Sequence, residues 1–292
     1  MSEPNTSNPQ ERYITPTYNG RGRPRWRSVT SAPDNSVAVC LAEPRHAIPV
    51  IFVPGVMGSN LKPLTGNKAV WLLDSSGSMA NWLAKGPSAR KAILRPEITT
   101  VFPGGKVSED TPYPPEELRR RGWGEVGYMS YGDYLAQLHR QLHGDTDCIH
   151  RRGPRFELVG KALGAEKGEQ AISQEDVLHS YRLYLPVHAF GYNWLQDNKE
   201  SARLLGLRIN DVIRRYVKEE GKHCTQVILV THSMGGLVAR YCSELFNYRS
   251  KILGIVHGVM PAIAAAAVYR RMKAGPRVAA PSPRCWGKMP QK

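Results

Sequence analysis

The chain has 292 residues, of which 41% are hydrophobic and 22% charged, with 27 glycines and 22 prolines. This length and apolar fraction support a sizeable core and exclude a wholly disordered, fibrous or collagen-like chain, while the glycine and proline content argues for a loop-rich α/β or β architecture over a helical bundle. The net charge is +15, and the segment from Leu245 to Lys292 carries nine basic residues and no acid, a balance compatible with nucleic acid, anionic lipid or solubility alone.

Residues 1–46 are rich in Pro, Asn, Ser and Arg, lack periodicity and read as a flexible leader. Order is expected to begin with the short apolar run 48–54, a buried strand ending at Gly55. Residues 61–180 form a long irregular region containing Trp71, Trp82 and Trp123, with one helix near 131–143 that places Tyr134, Leu135, Leu138 and Leu142 on one face. Regular alternation follows: strand 184–190, helix 201–220 stopped by Gly221, strand 226–231, helix 234–245, strand 252–256 and helix 262–273. Strand–helix alternation of this kind predicts right-handed crossovers and a three-layer α/β fold with a mainly parallel sheet. The domain is expected over 47–275, followed by an irregular tail, 276–292.

The segment Val227-Ile-Leu-Val-Thr-His-Ser-Met-Gly-Gly236 carries the chemistry. A buried strand runs into a small-residue turn that opens a helix, with Thr231, Ser233 and Gly235 in a variant of the G-x-S-x-G elbow. A serine nucleophile needs a sharp turn that lifts its hydroxyl above the sheet. Small residues two before and two after it avoid the neighbouring strand and helix, and the helix N-terminus aims N–H groups at developing negative charge. The competing reading is a serine that caps an ordinary helix. Thr231 stands where glycine is usual, and His232 is expected to pack in the elbow with its side chain turned from Ser233. A second glycine-rich turn, Val53-Pro-Gly-Val-Met-Gly-Ser-Asn60, follows the first strand and suits half of an oxyanion hole.

These residues, with Ala189-Phe-Gly-Tyr-Asn-Trp194, resemble the α/β-hydrolase lipases of the lecithin:cholesterol acyltransferase type over roughly residues 48–273. Closer similarity is to bacterial lipases, some of them phospholipases delivered into rival cells. The resemblance implies Ser233 as nucleophile, and the backbone N–H groups of Met57 and Met234 as the oxyanion hole, with Gly235 and Gly236 completing the elbow. It further implies a lid or cap over 61–180, a lipid or ester substrate, membrane contact through the lid, and either hydrolysis or O-acyl transfer. No motif asks for a cofactor or a metal.

The family orders its triad as Ser, acid, His. After Ser233 the only acid is Glu244, on the helix just behind the serine, and the only histidine is His257, at a strand end. Neither suits the triad, so acid and base are unassigned and His257 is the fallback. The tail 276–292 has no acid, period or strand pattern. It reads as an out-of-frame end to a truncated domain whose sheet lacks its C-terminal edge. The alternative to a crippled hydrolase is a non-catalytic protein that binds lipid in the cleft, or polyanions through its basic ends.

Other signals weigh less. The five cysteines have no C-x-x-C spacing and fit a reducing compartment. No apolar segment makes a signal peptide or a clear membrane span, so a cytoplasmic location is expected, with export by a signal-independent route left open. His139, His143 and His150 lack a zincin glutamate and read as surface or cap residues. Trp71, Trp82 and Trp123, with Tyr128, Tyr131 and Tyr134, form either a lipid-facing rim or the cap's own core. The basic run from Arg21 to Arg27 is similar to an AT-hook, but a solvated basic flank is the better reading and no nucleic-acid partner is expected.

Overall fold

The computed structural model describes residues 11–26, 36–143, 151–164, 168–263 and 265–274. Its centre is a four-stranded, all-parallel sheet. Strands β1 (Val50–Val53), β2 (Val187–Ala189), β3 (Val227–His232) and β4 (Ile252–Gly258) lie in the order β2-β1-β3-β4. All four β1 residues are buried, as a strand covered on both faces requires. The sequence runs that predicted strands lie within a few residues of these bounds.

Two helices cover one face, α2 (Asn198–Lys218) and α3 (Met234–Leu245). Along α2 the buried positions Leu205, Ile209, Val212 and Tyr216 recur every three or four residues, and they pack with Val238, Ala239 and Cys242 of α3 on Ile51, Val53, Val227 and Leu229. The Asp197 side chain caps α2 by accepting from the Lys199 N–H, and Gly221 (φ +64°) turns the chain away beyond its end. Phe52, Val187, Ala189 and Val230 on the other face meet Leu118, Trp123, Val126, Leu135 and Ala136. Leu135 and Ala136 lie on helix α1 (Tyr128–Leu142). The Trp123 indole N–H donates to the Val187 carbonyl at 3.0 Å, so its polar handle is satisfied inside the core.

Within the span expected to form a lid or cap, residues 107–142 complete the sandwich, because an open sheet must bury both faces. Trp71 and Trp123 are accordingly core residues, at 4% and 3% exposure, whereas Tyr134 is exposed.

The expected leader also differs. Glu11–Ile14 pairs in parallel with Val37–Cys40, and Thr17–Tyr18 pairs with Pro24–Arg25 as a hairpin. The basic run therefore folds back on itself as far as Trp26, with the Asn19 side chain accepting from the Arg21 and Arg23 N–H groups; Arg27 lies outside the described residues. The hairpin is fastened to a buried carboxylate. Glu117, fully buried, accepts from Arg120 Nε at 2.8 Å, Arg121 Nε at 2.7 Å and Arg215 Nη2. Gly22 sits on it in the left-handed region (φ +69°), where a Cβ would fall 2.6 Å from the Glu117 carboxyl carbon. Arg120 also donates to the Arg21 carbonyl.

The described residues 261–263 and 265–274 belong to a separate unit. Its described helix is α4 (Ala266–Ala274), in which the Lys273 ammonium lies 6.0 Å from the Tyr269 ring centroid.

Among the described residues β4 pairs only with β3, and Leu253 and Val256 are 54% and 59% exposed. An apolar, unpaired edge is a template for strand addition. The chain is expected to self-associate with rising concentration, and Val256→Lys is expected to suppress this in light scattering without changing the circular dichroism spectrum. Unchanged scattering would place the association elsewhere.

Candidate active site

Ser233 stands between β3 and α3 with φ 51° and ψ −122°. A non-glycine residue in this region carries a strain of about 1–3 kcal/mol, which the surrounding structure must hold. It is held from two sides. The Ser233 N–H donates to the Gly258 carbonyl at the end of β4 (2.8 Å), and its carbonyl accepts from the Gly236 N–H (3.0 Å). The hydroxyl makes no capping bond to α3, which removes the reading in which it serves only as a helix cap. Among the described residues Met57 and Val259 also have positive φ, at 63° and 47°. Together with Ser233 they place strain beyond the carboxyl ends of three adjacent strands, where α/β sheets bind ligands.

The glycines are explained by distance. A Cβ on Gly235 would fall 2.5 Å from the Pro54 carbonyl oxygen and closer still to that of Val53. On Gly236 it would meet His257 Nδ1 at 2.9 Å, and on Gly55 it would meet Ser233 Cβ at 3.1 Å. The glycine turn after β1 is thus pressed against the serine. Gly235→Ala is expected to cost about 1–3 kcal/mol through overpacking and to shift the denaturation midpoint. Gly254→Ala on β4, with no atom within 4 Å of the added Cβ, supplies the control. Equal midpoints for the two variants would refute the close approach.

The motif from Ala189 to Trp194 positions this turn. The Tyr192 hydroxyl donates to the Pro54 carbonyl (2.9 Å), the Tyr192 N–H to Ser59 Oγ (3.0 Å), and the Trp194 indole to the Ser59 carbonyl (3.1 Å). The Trp71 indole donates to the Met57 carbonyl at 2.9 Å. Asn60 fixes the turn's far end by donating to the Gly124 and Val126 carbonyls.

Tyr131, which the sequence placed only in a lipid-facing rim or the cap's core, has a role at the site that the sequence did not show. Its hydroxyl accepts from the Gly55 N–H at 3.2 Å and lies 3.0 Å from His232 Nδ1. Burial raises its pKa, and the Gly55 N–H partly offsets this, so it stays a phenol at neutral pH. It joins the second layer to both the glycine turn and the elbow. The helical period alone could have placed Tyr131 on α1, but not against residues 55 and 232. His232 is exposed and turned to Tyr131, which differs from the packing role expected for it.

His257 Nδ1 lies 2.9 Å from Thr231 Oγ1, and Glu244 accepts from the Ser243 hydroxyl. The fallback His257, like Glu244, is thus engaged with a neighbour other than Ser233. Burial, followed by the Arg240 charge, lowers the His257 pKa and keeps it neutral. The His139 and His143 rings lie 4.1 Å apart between centroids, tilted by 34°. His143 caps the end of α1, in line with the cap reading, whereas His139 is 3% exposed and so is not at the surface; burial, aided by the nearby Arg121 charge, lowers both pKa values, that of His143 to about 3. His150 lies outside the described residues. No group of three His, Cys, Asp or Glu among the described residues could hold a metal ion.

The PGAP1-like alpha/beta domain family matches residues 189–272. Among solved structures, the chain is similar to a chain of the Tle4–Tli4 complex, with a TM-score of 0.66 and 33% identity, covering 77% of this chain and 48% of that one. It thus spans about half the length of the solved relative. No curated protein matches it. The fold is α/β-hydrolase-like, with a mainly parallel sheet.

Proposed function

We propose that the chain carries the core of a lipid-acting serine ester hydrolase or O-acyltransferase, phospholipase activity included, with Ser233 as nucleophile. The observation that carries this reading is a serine held at φ 51° on a strand-to-helix turn, its hydroxyl unspent on capping, with Gly55 packed against it. In the proposed reaction Ser233 Oγ attacks an ester carbonyl, the alcohol leaves, and water or a second alcohol takes the acyl group from the serine. In this proposal the backbone N–H groups of Met57 and Met234 receive the oxyanion. The likeness to the PGAP1-like domain and to the Tle4 chain supports hydrolase chemistry in general. The finer placement among lecithin:cholesterol acyltransferase-type lipases rests on the sequence motifs.

A second reading is favoured by His257 and Glu244, which face Thr231 and Ser243: a chain that binds lipid without turning it over. A fluorophosphonate probe separates the two. Covalent labelling that disappears in Ser233→Ala supports the nucleophile, and a parent chain that stays unlabelled supports the binding protein. The expected location is cytoplasmic, with export by a signal-independent route as the alternative. Among the described residues no helix is long and apolar enough to cross a membrane. A protein partner is also proposed, because the solved relative is a complex.

A further inference from the structure

The glycine turn after β1 is held through its backbone polar groups. The Gly58 N–H donates to the Gly55 carbonyl at 3.0 Å, the Trp71 indole to the Met57 carbonyl, and the Gly127 N–H to the Gly58 carbonyl at 2.9 Å. The Gly55 N–H donates to the Tyr131 hydroxyl. Among the described residues the Met57 N–H is left without an intramolecular acceptor. Tyr131 bears on this turn from more than one side. Its ring lies 4.9 Å from that of Phe52 on β1, and a Cβ on Gly58 would fall 2.8 Å from Tyr131 Cε2 and 2.9 Å from the hydroxyl.

The same hydroxyl lies 3.0 Å from His232 Nδ1, and the chemistry of the three groups places the protons. A backbone N–H can only donate, so the Tyr131 oxygen accepts from Gly55. The phenol proton then goes to His232 Nδ1, which must offer a lone pair, and a neutral imidazole in that state carries its proton on Nε2. The reverse arrangement, with Nδ1 donating, leaves the proton of a part-buried hydroxyl without an acceptor and is the costlier of the two.

We infer that Tyr131 is a positioning residue for the proposed reaction, holding the glycine turn against the elbow and locking His232 in its Nε2–H tautomer. The first effect keeps the Met57 N–H aimed where charge develops, since a donor fixed in advance needs no reorganisation during the reaction. The second removes His232 as a base for Ser233, although the two are neighbours in the chain: its Nδ1 lone pair is spent on Tyr131 and its Nε2 already carries a proton. The inference rests on the reading of Ser233 as nucleophile, because without it there is no reaction to position.

Two measurements on the full chain test it. The first is the nitrogen NMR spectrum of the histidine side chains at a pH above the ordinary imidazole range, with His232 assigned by the signals lost in His232→Gln. The parent is expected to show His232 as the Nε2–H tautomer alone, and Tyr131→Phe a mixture of both tautomers. The second is the rate of labelling by a fluorophosphonate. Tyr131→Phe keeps the ring and loses both bonds. It is expected to lower the limiting rate about tenfold, less than the roughly hundredfold that follows loss of an oxyanion donor itself, with the half-saturating probe concentration little changed. Tyr134→Phe, on the same helix with its ring 5.3 Å from Phe52 but exposed, is expected to match the parent in both measurements. An Nδ1–H tautomer in the parent, a single Nε2–H tautomer kept by Tyr131→Phe, or an undiminished labelling rate in that variant would overturn the inference while the parent still takes the label. A parent that takes no label would overturn the nucleophile and the inference with it, so labelling of the parent tells the two failures apart.

Discussion

Replacing Glu117 by alanine is expected to destabilise the chain by about 3–5 kcal/mol, since it leaves buried charges without their partner. Arg121 is 1% exposed and Arg215 8%, and both point at the Glu117 carboxylate, with Arg120 as a third donor. Alanine removes the acceptor and keeps the cations. Glu117→Gln is expected to fare little better, because the amide keeps the shape but loses the charge. Urea denaturation reads the effect, and a midpoint shift as small as that of an exposed pair such as Arg203–Glu200 would show that the cluster is dispensable.

The same carboxylate sets an acid limb. Burial alone would raise its pKa, but the Arg121 and Arg215 charges outweigh that and lower it. A carboxylate whose folded pKa lies below its unfolded value of about 4.3 contributes its full stability above that value. The contribution is lost as pH falls through the lowered folded pKa. Stability should therefore drop on the acid side in the parent, and the drop should be shallower in Glu117→Gln.

Ester turnover by this 292-residue chain taken alone is expected to lie about 10⁴-fold below that of a triad-equipped serine hydrolase. A serine hydroxyl at neutral pH is a weak nucleophile unless a base takes its proton. The histidine that follows Ser233 in the chain is engaged with Thr231. The expected remainder comes from oxyanion donors and binding. Stopped assays with a short-chain activated ester would measure it, with Ser233→Ala as the blank. Turnover well above this level that vanishes in Ser233→Ala would show that a base reaches the serine, and His257→Ala would be the next variant.

The sheet was legible because its strands are β-branched runs such as Val-Ile-Phe-Val at 50–53 and Val-Ile-Leu-Val at 227–230, too apolar to lie anywhere but the centre. The elbow was legible because its residue types are forced by close approach, Gly235 against Val53 and Pro54 above all. The first forty residues were not. Glu11–Ile14 is a polar strand with no alternation, and what orders it is its pairing with Val37–Cys40. The second layer was not legible because Trp123 looks the same in sequence whether it faces lipid or Val187, and both readings stayed open. The Glu117 cluster and the Tyr131 bridge join residues about a hundred positions apart, and no local pattern encodes such a meeting.

That separation has a kinetic consequence. The site on which the N-terminal hairpin sits is assembled from Glu117 and Arg215, 98 residues apart in the chain. Closing a loop of that size costs entropy before any contact repays it. The hairpin of residues 11–26 rests on a carboxylate that gains its Arg215 partner only when α2 has been made and packed. Firm docking of the hairpin is therefore expected to be a late step of folding rather than an early one.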